Sequence, residues 1–314
     1  MNIATKRLAG VAAVVSAAAL GLTLAPSAAA AGNGTAVLSS LPKDTGWVMN
    51  INVDRAKGSP LFKEALAMAR KSPELAAAMD MLKAQASFDV TKDVKTITIG
   101  LDADFQTNEK GVVLVEGSFD AKKLLAFAKA SGTKAVAGKH MGVSFYTIEE
   151  AEIAVIKGVM VVAPKGGMKS IIEVHKGKAP NVKANGEFMK MLKSADTSKD
   201  FWMVAILPKS LRTQLGAQLG GNGFDSMTAS VDVKKGLITK LRLATATAAA
   251  AQSIANLMKM GIAQSAGDPS LKALGLAGVL QNVTVSATAN NVDVGVTLSD
   301  AELSKIKNLI KGFM

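Results

Sequence analysis

The sequence predicts an α+β protein of two similar halves, each an antiparallel sheet with helices packed on one face. Three observations carry that prediction. Several stretches alternate strictly between apolar and polar residues, as in Thr96-Ile97-Thr98-Ile99-Gly100-Leu101, where Ile97, Ile99 and Leu101 share a face. The off-face positions are Thr, Ser, Asn and Lys, the pattern of antiparallel strands with one wet side. The order strand, helix, hairpin, helix, further strands, helix also occurs twice along the chain.

The first 31 residues stand apart from the fold. Lys6 and Arg7 form a short basic region, Leu8 to Leu24 an apolar segment, and Pro26-Ser27-Ala28-Ala29-Ala30-Ala31 a run of small residues. This is the plan of a secretory signal peptide cleaved near Ala31. The alternative is a retained membrane anchor, but the segment is short against the ~20 residues a spanning helix needs. Gly32 to Ser40 is then a flexible leader.

The first half is expected over residues 41–195. Leu41 to Gly46 turns into a strand from Trp47 to Val53, with Trp47, Met49, Ile51 and Val53 on one face and Asn50 and Asn52 on the other. A helix starts near Leu61, breaks at Lys71-Ser72-Pro73 and resumes from Glu74 to Lys83, with Ser72 as N-cap and Pro73 as the first helical residue. Phe88 to Asp93 is a turn. The strand Thr96 to Leu101 and the apolar run Val112 to Phe119 form a hairpin. Asp120 opens a helix with Leu124, Leu125, Phe127 and Ala128 inward, closed by Gly132. Val143 to Ile148, Ile153 to Ile156 and Val159 to Ala163 are three further strands, the last two joined tightly by Lys157-Gly158. Gly166-Gly167 opens a helix through Ile171, Ile172 and His175, and a short helix from Glu187 to Leu192 ends the half.

The second half, residues 196–314, begins with a strand from Phe201 to Leu207 and a helix from Ser210 to Leu219. Met227, Ala229, Val231 and Val233 face one way, and Leu237, Leu241 and Leu243 repeat that pattern after Lys234-Lys235-Gly236. An Ala-rich helix from Ala246 to Gln264 carries the stripe Ile254, Leu257, Met258 and Ile262. Leu271 to Leu280 is a short helix. A last hairpin pairs Val283, Val285 and Ala287 with Val292, Val294, Val296 and Leu298. Asp300 leads a terminal helix with Leu303, Ile306, Leu309 and Ile310 inward. Trp47 to Leu66 corresponds to Phe201 to Leu219, and Thr96 to Gly132 to Met227 to Gly261. Few residues are identical, so the duplication lies in the pattern.

Composition narrows the function. The chain has no cysteine, which excludes disulfides and thiolate metal sites and leaves burial as the source of stability. The formal charge of +12 falls to +10 without Lys6 and Arg7, and the excess is scattered lysine rather than the arginine that forks around phosphate. Aromatics are 4% of residues, too few for base-stacking platforms, so nucleic acid is not an expected partner. Weak attraction to anionic envelope surfaces remains open.

Several short pieces resemble a known family. They are Leu41-Pro42-Lys43-Asp44-Thr45, Phe88-Asp89 with Lys92-Asp93, and Phe119-Asp120 with Lys122-Lys123-Leu124. Gly142 leading into Val143-Ser144-Phe145-Tyr146, the run Lys157 to Ala163 and Asn185-Gly186-Glu187-Phe188 complete the set. Over Leu41 to Leu211 the chain resembles secreted bacterial proteins catalogued only as a domain of unknown function. The resemblance implies export and an α+β fold. It brings no catalytic residue, because that family has none established.

No motif carries chemistry. Asp44-Thr45-Gly46 spells the aspartic-protease triplet, but the later Asp225-Ser226 is followed by Met227 rather than glycine, so the second carboxylate of a shared-proton pair is missing. Lys165-Gly166-Gly167-Met168-Lys169-Ser170 lacks the spacing of a phosphate loop and suggests at most a weak anion site at a helix start. Ser131-Gly132-Thr133-Lys134 and Ser304-Lys305-Ile306-Lys307 match Ser-x-x-Lys at a helix end and on an exposed helix face, which is no nucleophile's setting. His140 and His175 are the only histidines and make no zinc site by themselves. Asp102, Asp104, Asn108 and Glu109 crowd one loop without the spacing of a calcium loop. No catalytic, cofactor or metal residue is assigned. Most of the 15 methionines, Met68, Met79, Met81, Met189, Met191, Met258 and Met260 among them, read as helix core filler.

The expectation is therefore an exported, non-catalytic binding or structural module of the bacterial cell envelope, in periplasm or medium, with an unidentified envelope protein or an apolar ligand as partner. The alternative is a carrier of a lipid or other apolar molecule in a Met/Leu/Val-lined cavity. A hydrolase comes third.

Overall fold

The computed structural model describes residues 34–104, 110–118, 120, 122–123, 135–219, 221–269, 272 and 277–313. They fall into two compact units that divide between Met189 and Lys190. The expected signal segment lies outside the described residues. So do Leu124, Leu125, Phe127, Ala128 and Gly132 of the helix after Asp120, the first Ser-x-x-Lys match, Leu271, and the side chains of Leu309 and Ile310.

In the first unit a 3-10 turn, Ala36–Ser40, precedes β1 (Thr45–Asn52). The strand stops one residue short of expectation because the Asn52 side chain accepts the Arg55 N–H at 3.0 Å and starts α1 (Val53–Ala56). Ser59 and Ser72 cap α2 (Pro60–Ala69) and α3 (Pro73–Ala86), accepting the N–H groups of Phe62 and Leu75, each with proline at the helix start. The expected turn at Phe88 to Asp93 is instead one helical turn, α4 (Val90–Asp93), capped by Asp89. Burial works against the Asp89 charge, but bonds from the Thr91 hydroxyl and N–H, with Lys83, outweigh it and hold the carboxyl below its usual range.

The strands β2 (Val94–Asp102), β3 (Gly111–Gly117), β4 (Ala135–His140), β5 (Val143–Ile148), β6 (Ala151–Ile156) and β7 (Val159–Pro164) follow. Lys157 and Gly158, both at positive φ, make the expected tight turn between β6 and β7. α5 (Met168–His175), a 3-10 turn at Val182–Ala184 and α6 (Gly186–Ser194) come next. The strand order is β1-β2-β3-β7-β6-β5-β4, every neighbour antiparallel.

Val53, Leu66, Met79, Phe88, Ile97 and Val115 form the core under α2 and α3. The opposite face was expected to be wet, and it is not. Asn50, Thr96 and Thr98 are fully buried on it. The Asn50 amide donates to the Thr98 hydroxyl at 2.8 Å and to the Ile97 carbonyl at 3.4 Å, and the Thr96 hydroxyl donates to Glu116, so most of the polar groups find partners inside. The segment before β1 provides cover: Leu41 fills the space left by Gly100, where a Cβ would lie 2.7 Å from Leu41 Cδ2. α5 packs on β6 and β7 beside it, with Met168 and Ile172 at 0% exposure. In this unit, helices and turns cover both faces rather than one.

β4 was not anticipated, because Ala-Val-Ala-Gly-Lys-His has weak strand character. It pairs with β5 through packing: Gly138 lies opposite Phe145, whose ring occupies the place a Cβ would take. The methionine expectation also needs correction. Met79 and Met191 are buried, but Met68, Met81 and Met260 are exposed on the outer faces of their helices.

The second unit contains β8 (Phe201–Ile206), α7 (Lys209–Gln218), β9 (Ser226–Asp232), β10 (Leu237–Ala244), α8 (Ala248–Gly267), α9 (Ala277–Leu280), β11 (Val283–Thr288), β12 (Asn291–Leu298) and α10 (Asp300–Phe313). Its strand order is β8-β9-β10-β12-β11, again antiparallel throughout. This follows the same order of connections as β1-β2-β3-β7-β6, with β5 and β4 additional in the first unit. Thr247 caps α8, which lies across β11 and β12 and buries Ala251, Ile254 and Ala255 against Leu243 and Val292. Leu257, expected in that stripe, is 43% exposed, because Ala251, Ala255 and Met258 set the inward line. No helix among the described residues is long and apolar enough to cross a membrane.

Candidate binding site

On the sheet of the second unit, the face away from α8 carries side chains whose chain positions are far apart. Ser226, Thr228 and Ser230 alternate on β9, as the period of a strand dictates. Register brings Lys240 of β10 opposite Ser230, and Arg242 opposite Thr228. On the other side of β10, Lys240 faces Gly295 and Arg242 faces Asp293 of β12. β11 then adds Thr284 opposite Gly295 and Ser286 opposite Asp293. The Ser226 end of the face is closed by Met191, whose sulfur accepts the Ser226 hydroxyl at 3.2 Å. Beyond it a groove of about 400 Å³ opens, bounded at one side by Ser194, Ala195 and Asp196. That volume lies in the range of small-molecule sites.

The lining is polar. Thr228 and Ser230 are 4% and 5% exposed, face the groove, and have no hydrogen-bond partner for their hydroxyls among the described residues. Gly295 keeps the floor low, and a Cβ there would stand 2.7 Å from the Thr284 hydroxyl. Arg242 donates to Asp293 through Nε at 2.6 Å and through a second nitrogen at 3.2 Å, a two-bond fork. Those bonds push the guanidinium pKa further up.

Asp196 is held below the usual carboxylate range by the Ser198 hydroxyl, whose effect exceeds the opposing one of burial, and further by the Ser198 N–H, Lys199 and Lys240. The groove's ionisable lining is thus Lys240 and Arg242 against Asp196 and Asp293, two of each sign. A general acid or base works with a pKa near the operating pH. The shifts of Asp196 and Arg242 move the other way and fix their charges. This arrangement presents hydroxyls and paired charges to a ligand.

The residues singled out from the sequence lie elsewhere. Asp44 is exposed, and Asp225 pairs with Arg212 at 3.3 Å. The helix start at Gly167 is not an open anion site, because Glu152, 6% exposed, accepts the Met168 N–H at 2.8 Å and occupies it. Ser304 donates to the Asp300 carbonyl within its own helix. His140 meets Glu173 at 2.9 Å, and His175 sits 3.4 Å from the Ser40 hydroxyl. Burial, then Lys157 and Lys176, lower the His175 pKa. Asp102 accepts the Asp104 N–H, and Asn108 and Glu109 lie outside the described residues. Among the described residues no three or more His, Asp or Glu gather as a metal-binding group. None of Thr228, Ser230, Lys240 or Gly295 had been singled out. The one signal was the run of hydroxyl residues at alternate positions of β9 and β11.

The chain is similar in fold to three crystal forms of TP0453. Form I aligns at 11% identity and TM-score 0.47 over 87% of this chain and 96% of that one. Form III gives 12% and 0.49 over 86% and 97%, and form IV 10% and 0.47 over 86% and 95%. No family model and no curated protein matches the chain.

Proposed function

We propose that this chain is an exported, non-catalytic binding module of the bacterial cell envelope, and that the groove of the second unit is where it binds. The observation that carries this reading is the pair of hydroxyls of Thr228 and Ser230, without a protein hydrogen-bond partner among the described residues, that open onto a space of about 400 Å³. Hydroxyls left open to that space can donate to and accept from a bound molecule in place of water. The fixed charges of Asp196 and Arg242 favour binding over acid–base catalysis. Export is supported by the basic, apolar and small-residue order of residues 1–31. The polar lining gives no support to the lipid-carrier alternative. The two units are read as two copies of one plan, supported by their common order of strand connections.

Amide NMR of the exported protein, titrated with a library of small polar and apolar molecules, tests this reading. Saturable shifts on β9, β10 and β12 without turnover are expected. Turnover of a library member, or shifts confined to other strands, contradicts it.

A further inference from the structure

We infer that the groove takes a neutral, hydroxyl-rich ligand, a saccharide unit rather than an ion or a lipid; this rests on the reading of the groove as a binding site. Charge is the first argument. The lining holds Lys240 and Arg242 against Asp196 and Asp293, so it has no net charge to attract an ionic ligand. Arg242 and Asp293 already satisfy each other through two hydrogen bonds. Asp196 accepts from both the Ser198 N–H and hydroxyl, with Lys199 at 3.9 Å. An anion on Lys240 would stand beside two carboxylates, and a cation beside either carboxylate would stand near Lys240 or Arg242.

Hydrogen-bond chemistry is the second argument. The Thr228 and Ser230 hydroxyls each donate once and accept twice. Their natural complement is a group that does both, which is another hydroxyl. An oxyanion only accepts, an ammonium only donates, and a lipid chain does neither. The Arg242–Asp293 fork presents an unused guanidinium N–H and unused carboxylate lone pairs side by side, a surface that two neighbouring sugar hydroxyls can straddle. Shape agrees: Gly295, opposite Lys240, leaves the floor bare between β10 and β11. Trp202 lies on the same face, opposite Ser230, but is 0% exposed. The sugar therefore binds through hydrogen bonds and not by stacking on an indole.

Calorimetric titration of the exported protein separates the possibilities, with maltose and N,N′-diacetylchitobiose as neutral ligands, glucuronate as anion and glucosamine as cation. At least one neutral sugar is expected to bind saturably, and Thr228→Val and Ser230→Ala, each checked for retained fold by circular dichroism, to weaken it about tenfold or more. Neutral binding that both variants leave unchanged overturns the proposal. Tighter binding of glucuronate or glucosamine than of the neutral sugars, lost in Lys240→Gln or Asp196→Asn, overturns the ligand class and leaves the groove as a binding site. No binding of any of the four to folded protein overturns both.

Discussion

Glu152 and Met168 are joined by a 2.8 Å hydrogen bond in which a carboxylate 6% exposed accepts the first backbone N–H of α5. Gly167, at the N-cap position, brings no side chain to that helix start, so the charge arrives from β6 instead. Glu152→Gln keeps the shape and removes the charge. A loss of about 1–2 kcal/mol in urea unfolding is expected. An unchanged unfolding midpoint would show that the carboxylate contributes nothing there.

Gly138 and Phe145 are the corresponding packing pair at the edge of the first unit. A Cβ on residue 138 would come within 2.4 Å of the Phe145 ring. Gly138→Ala is expected to destabilise by about 1–3 kcal/mol through overpacking, and the double variant with Phe145→Leu to recover most of it. Thermal unfolding of the three variants checks this, and equal loss in the single and double variants would count against the contact.

The Arg242–Asp293 fork is partly solvated, its side chains 40% and 33% exposed. Solvent screening keeps its worth small. A double-mutant cycle with Arg242→Met and Asp293→Asn should give a coupling of about 0.5–1 kcal/mol that shrinks as salt rises. A coupling several times larger would mean the pair is desolvated in solution.

Burial, then Lys157 and Lys176, hold His175 below its ordinary pKa of 6.5. As pH falls through that value, the unfolded chain protonates this residue before the folded one does. The unfolded state then binds more protons, so the contribution of His175 is complete above 6.5 and is lost as pH drops toward the folded pKa. Urea titrations at about pH 7.5 and about pH 5.5 should show a smaller acid-side loss in His175→Gln than in the parent. Equal losses would contradict the lowered pKa.

Most strands and helices were legible because their signals are local. Ser72-Pro73 announces α3, and the alternation through Ile97 and Ile99 announces β2. β4 escaped because its support is the ring of Phe145 across the pair, not its own side chains. The burial of Asn50 escaped because polar alternation reads as a wet face, and only the cover from Leu41 and α5 makes it dry. The groove was illegible for a related reason. Ser230, Lys240, Thr284 and Gly295 become neighbours only through the registers of three strand pairs, which no spacing along the chain encodes.

The proposed ligand site is the hydroxyl floor of the second unit. A crystal structure of the exported protein grown with a neutral disaccharide tests it most directly. Sugar hydroxyls are expected about 2.7–3.0 Å from the Thr228 and Ser230 oxygens, in a groove otherwise unchanged. A fully occupied sugar bound anywhere else, or a groove that stays filled only with water at saturating sugar, would contradict it.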